Sequence, residues 1–142
     1  MVSETKIAMR DCLEETISKT GVIIAKTAAT PATKDLIETD NSSDKLTTLD
    51  GDRFHSVVAK LLYVATQARM DLLLSVGFLT TRVSRSTQQE DICKLNRLLE
   101  YGTLDVEYVV GADHLGRMRT WVNAAYAVHP DMRGHTGGVI SF

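Results

Sequence analysis

His129, Asp131 and His135 surround one proline-containing turn near the C-terminal end of this 142-residue chain. Imidazoles and a carboxylate are ligand types for zinc or magnesium, and a spacing of six across a hairpin turn would bring the two histidines together. No cysteine or third histidine lies close by in sequence, so the expectation is no metal site. Asp131, after Pro130, reads as a turn residue bonding local backbone. His55 stands at the start of a helical stretch beside its apolar stripe, which favours partly exposed packing over a general base. Cys12 and Cys93 are far apart, without paired spacing. They exclude a zinc knuckle or a disulfide framework and are expected to be buried thiols in a reducing, cytoplasmic setting. A different chemistry is offered by Arg82, Arg85, Lys94 and Arg97, with Tyr101 beside them: a basic surface able to touch phosphates. Glu90, Asp91 and Glu100 on the same segment reduce its excess to one charge, and a solvated helix face is the competing reading.

The elements that must position these groups follow from periodicity. A helix is expected from about Arg10 to Lys19, with Cys12, Leu13 and Ile17 as its stripe and Gly21 as its C-terminal glycine. Thr27 to Thr33 reads as an extended crossing segment around Pro31, and residues 38–50 as a flexible polar linker. Asp50 or Asp52 caps a second helix carrying Phe54, Val57, Val58, Leu61, Leu62 and Ala65 at three-and-four spacing. A third helix runs from about Asp71 to Val83, with Leu72, Leu73, Val76, Leu79 and Val83 facing inward. Thr87 and Glu90 form a capping box for a fourth, which buries Ile92, Leu95, Leu98 and Leu99 and ends at Gly102. Beyond Gly102 the period becomes that of strands: Val106 to Val110, Met118 to Val128, and Val139 to Phe142. Their imperfect alternation suggests strands covered on both faces, with Trp121 anchoring the hairpin against the helices.

Composition bounds the functional classes. With 44% apolar residues and 24% charged, the chain can bury a core and is not a disordered polymer. A net charge of −2 lacks the basic excess usual in nucleic-acid binders. No apolar run approaches the roughly 20 residues of a membrane span, and the N-terminus has no signal-peptide pattern. An intracellular chain without a membrane partner is expected.

An ordered set of motifs points to a family. Residues 122–124, Val-Asn-Ala, stand where a strand of the family reads V-D-A; Ala127 to Met132 and His135 to Gly138 continue as A-V-H-P-D-M and H-T-G-G. Upstream, Phe54 to Tyr63 is similar to Y-R-x-x-V-G-x-L-L-Y, and Ala68 to Leu72 to x-R-P-D-I with Met70 in place of proline. Leu95 to Asp105 is similar to x-x-R-V-L-R-Y-L-x-G-T-x-D, shortened before Gly102, and Thr27 to Thr33 resembles the segment after the polymerase thumb. Together these resemble the Pol polyprotein of copia-type retrotransposons, from the reverse transcriptase thumb through the connection into the start of ribonuclease H. The resemblance implies an α+β chain of about four helices followed by the first strands of an RNase H-like mixed sheet, truncated. It divides the chain into a thumb remnant and linker (1–49), connection helices (50–105) and incomplete RNase H strands (106–142).

The resemblance also implies what the chain lacks. The paired aspartates of the family's polymerase palm are absent, and Asn123 occupies the first RNase H carboxylate position. The Mg²⁺ ions of the parent family would lose a charged ligand there, so no cofactor is expected in this chain. Implied partners are an RNA–DNA hybrid or DNA, at Arg82, Arg85, Lys94 and Arg97, and the remainder of the polyprotein. Self-association through the open sheet edge is a further possibility. The alternatives to a polyprotein fragment are a non-enzymatic nucleic-acid-binding module and a protein-interaction module.

Overall fold

A Thr-capped helix of 20 residues, Thr48–Gln67, forms the spine of the chain. Thr47 Oγ1 accepts the Asp50 N–H at 3.2 Å and donates to Asp50 Oδ2 at 2.7 Å. The cap is therefore Thr47, and Asp50 sits in the first turn, where its charge favours the helix N-terminus. The expected stripe is buried, with Val64 added and Leu62 at its edge. The computed structural model describes residues 4–24, 26–40, 42–83, 88–111, 118–127 and 132–141. In chain order these form β1 (Glu4–Ile7), α1 (Arg10–Thr20), α2 (Thr48–Gln67), a 3₁₀ turn (Met70–Leu72), α3 (Leu73–Val83), α4 (Gln89–Gly102), β2 (Tyr108–Gly111), β3 (Arg119–Ala125) and β4 (His135–Ser141). The class is α+β, and four helices carry the core.

Departures from expectation have local causes. Leu73 is exposed, while Ser75 and Phe78 are buried. The side of α3 that carries Phe78 meets α4, whose Lys94 Nζ lies 5.1 Å from the Phe78 ring centre, and Leu73 falls on the opposite flank. The capping box of α4 uses Gln88 and Asp91, one residue beyond the expected pair; Thr87 lies outside the described residues. Cys12 is half-buried and Cys93 is exposed, because each sits just beside its helix's apolar stripe. Gly21 does end α1, in the left-handed region at φ +68°.

The polar stretch expected to be a flexible linker is instead bonded to the N-terminal end of α4. Gln89 N–H donates to Asp44 O at 2.9 Å, and Glu90 N–H reaches Ser43 Oγ at 3.4 Å. Asp40 N–H returns a bond to Glu90 Oε2 at 2.8 Å. The first amides of a helix have no partner inside it, and this stretch satisfies them.

Among the described residues the strands form two antiparallel pairs. β1 pairs with β2 from Glu4↔Gly111 to Ile7↔Tyr108, and the ion pair Lys6–Glu107 (2.8 Å) and that of Arg10 with Asp105 extend this contact. A strand of the first 49 residues thus joins one from beyond residue 105. β3 pairs with β4 from Arg119↔Ser141 to Ala125↔His135. This hairpin is not covered on both faces. Every residue of β3 is exposed, and Trp121, at 54%, does not anchor it to the helices.

An isolated two-stranded hairpin is marginal in water. Amide exchange at β3 and β4 is accordingly expected to run roughly a thousandfold faster than at the buried turns of α2 and α4. Hydrogen-exchange mass spectrometry checks this; slowest exchange in the hairpin would contradict the placement of the core.

Candidate nucleic-acid interface

Arg82 lies in the last turn of α3 and points at the start of α4. Its Nε donates to Asp91 Oδ1 at 3.0 Å and Oδ2 at 3.3 Å, and Nη2 to Gln88 Oε1 at 3.2 Å. Asp91 is 1% exposed and also accepts the Gln88 N–H at 3.0 Å. The pair closes the α3–α4 junction, so Arg82 offers little guanidinium surface to a ligand. Lys94 follows one turn later, its ammonium on Glu90 Oε1 at 2.6 Å and on the Glu38 carbonyl. Burial pushes the Glu90 carboxyl up, but its bonds to Lys94 and to the Asp40 amide, with the Lys94 charge, outweigh this and hold it below the usual range. Arg97 reaches Thr30 Oγ1 at 2.9 Å through Nη2, and its Nε is buried without a hydrogen-bond partner. Lys94 and Arg97 therefore share α4 and pin the 28–40 crossing segment beneath them, where Ala28 N–H also meets Glu100 O at 3.4 Å. Arg85 lies outside the described residues.

No family model, no curated protein and no solved structure matches this chain.

Asn123 sits in the middle of β3, exposed, with Gly137 opposite it. Trp121 and Ala125 flank it on the same face of the hairpin, so no carboxylate adjoins it there. Among the described residues there is no group of three or more His, Cys, Asp or Glu side chains able to hold a metal ion. The described donors around Asn123 do not fit a pair of magnesium ions, which need several converging carboxylates. His129 and Asp131 fall outside the described residues, and the backbone of His135 pairs with Ala125. His55 is exposed on α2. Among the described residues, no helix is long and apolar enough to cross a membrane.

Arg69 is the functional-looking residue that periodicity missed. It is 5% exposed and forks onto Asp71, with Nε at 3.0 and 3.2 Å and Nη2 at 2.9 Å. Its Nη1 donates to Gly102 O at 3.4 Å and Leu104 O at 3.3 Å, and its guanidinium lies 5.7 Å from the Tyr101 ring centre. These bonds satisfy carbonyls at and just beyond the end of α4 that have no partner inside the helix. Burial pushes the Asp71 carboxyl up. Hydrogen bonds and charge from Arg69, with the Tyr101 hydroxyl, outweigh it and leave that carboxyl below its ordinary value. The available signal was an arginine two residues before an aspartate, directly after a long apolar helix.

Proposed function

We propose that this chain is a segment of a copia-type retrotransposon reverse transcriptase/ribonuclease H polyprotein. In this reading it tethers polymerase to nuclease and contacts an RNA–DNA hybrid without cutting it. The observation that carries the reading is the order of family-like motifs along nearly the whole sequence, ending in Val122-Asn123-Ala124 and His135 to Gly138. The internal geometry supports it, because two of those motifs meet: Arg69 of one, forked onto its own Asp71, donates to the Gly102 and Leu104 carbonyls of the other. Arg97 on α4 is the better phosphate contact, its Nη2 held by the exposed Thr30 hydroxyl, whereas Arg82 and Lys94 are each 13% exposed and would have to leave a carboxylate to reach a ligand.

The test is anisotropy of a labelled RNA–DNA hybrid between 50 and 200 mM salt. Binding should weaken steeply with salt, and Arg97→Gln should flatten the log–log slope by about one. Neither the chain nor Asn123→Asp should cleave the hybrid with Mg²⁺, because one carboxylate cannot hold two ions that repel each other. Salt-independent or absent binding would sink the hybrid contact, and cleavage would sink the inactive reading.

A second reading is favoured by the hairpin, which exposes Trp121 and Val139 on one face and Val122 and Ile140 on the other. Such a hairpin suits a module that completes a sheet with strands of another chain. Concentration-dependent association without hybrid binding would select it.

A further inference from the structure

A cleft of about 400 Å³ opens between α1, α2 and α4, and Arg82, Lys94 and Arg97 are not among its lining residues. Its floor is apolar, made by Phe54, Val57, Leu95 and Leu99. Its mouth carries Lys19, Arg53 and Lys60 against a single lining carboxylate, Asp50. That carboxylate is already occupied, taking the Thr47 hydroxyl at 2.7 Å and facing Arg53 at 3.8 Å. Lys19 pairs with Glu15, one turn back on α1. The Glu15 carboxyl is held below its usual range first by its bond to Lys19, then by the Lys19 charge and that of Lys60. Two ammonium groups thus crowd one corner of the mouth around one carboxylate, leaving a net positive charge above an apolar floor. Ligand sites of this size are mostly apolar, with a few polar groups that fix the orientation of the guest. At a water's share of about 30 Å³ per non-hydrogen atom, the cleft takes roughly a dozen such atoms.

We propose that this cleft binds a single-chain amphiphile with an anionic head, its alkyl chain over Phe54, Val57 and Leu99 and its carboxylate at Lys60 and Lys19. A cationic head of the same chain length is rejected at the same place. The assignment is independent of the hybrid-binding reading, which rests on Arg97 and the crossing segment, neither of which lines the cleft.

The probe is decanoate, compared with decyltrimethylammonium, each titrated below its self-association concentration into the full chain. Amide signals of Thr20, Val57 and Asn96 are followed by ¹H–¹⁵N NMR. Saturable shifts at these positions are expected with decanoate, with affinity about tenfold above that for the cation. Lys60→Glu should remove most of that preference, and raising salt should shrink it. Ser56→Trp, at an exposed α2 position on the cleft wall, should fill the space and abolish the shifts with the helical signal unchanged. Equal affinity for both heads, shifts elsewhere, or binding that survives Ser56→Trp would each overturn the proposal. So would the absence of saturable shifts with decanoate.

Discussion

Asp91→Ala should lower the stability of the folded chain by about 3–5 kcal/mol, the range for removing one partner of a buried ion pair. Three effects combine at this position. The Arg82 guanidinium, whose side chain is 13% exposed, would keep Gln88 Oε1, a neutral acceptor, among the described residues. The Gln88 N–H would lose its acceptor at the first turn of α4. The α3–α4 corner would lose the ion pair that joins the last turn of α3 to the first turn of α4. Asp91→Asn separates the first effect from the second, because an amide oxygen can still cap Gln88 while the charge is gone. About half of the alanine loss is therefore expected for asparagine. Since domains of this size are stable by only about 5–15 kcal/mol, urea midpoints of both variants should be clearly displaced, with the slope unchanged. A loss below about 1 kcal/mol for Asp91→Ala would mean that the pair merely offsets its own desolvation.

Why Asp91 was not foreseen as the capping partner shows how local signals compete. Thr87 and Glu90 present the commonest form of a capping box, yet Gln88 and Asp91 have the same spacing one residue later. Both frames put an acceptor and an acid three apart, and Arg82, nine residues upstream of Asp91, decides between them. α2 was legible because its stripe repeats over five turns and leaves no rival phase. α3 was less so, since its first turn is 3₁₀ and its buried flank depends on where α4 lies.

Pairing between β1 and β2 had no local signature at all. Partners such as Lys6 and Val109 are about a hundred residues apart, and four-residue strands carry too little alternation to fix a register. The hairpin misled in the opposite direction: its β-rich residues and tryptophan read as interior, although β3 is exposed along its length. Apolar character marks a side chain that gains from burial, and here the covering surface is not supplied by the described residues. The basic candidates on α4 were visible as charges, but the commitments of Lys94 to Glu38 and of Arg97 to Thr30 depend on the path of the 28–40 segment.

Arg69→Met should cost about 3–4 kcal/mol, and its cost should depend on pH in a direction that identifies the cause. Methionine keeps most of the apolar stem, so the loss reports the guanidinium and not simply the volume. Without it, Asp71 loses a forked partner, and the Gly102 and Leu104 carbonyls lose a donor in a site that is 5% exposed at Arg69. Arg69→Lys should recover only part of this, about half, since one ammonium cannot fork onto a carboxylate and still reach two carbonyls.

The pH dependence follows from Asp71, whose carboxyl is depressed in the folded chain relative to about 3.9 when unfolded. A depressed carboxyl contributes stability that is fully present above the unfolded value and is lost as pH falls through the folded one. Near neutral pH the wild-type chain should therefore hold its full advantage over Arg69→Met. Below about pH 4 that advantage should shrink, because protonation of Asp71 weakens the pair in the wild type, while in the variant burial without a cation already favours the protonated carboxyl. Urea unfolding at pH 7, 5 and 3 measures the gap directly. A gap that stays constant, or widens in acid, would assign the role of Arg69 to the two carbonyls and the Tyr101 ring and remove Asp71 from the account.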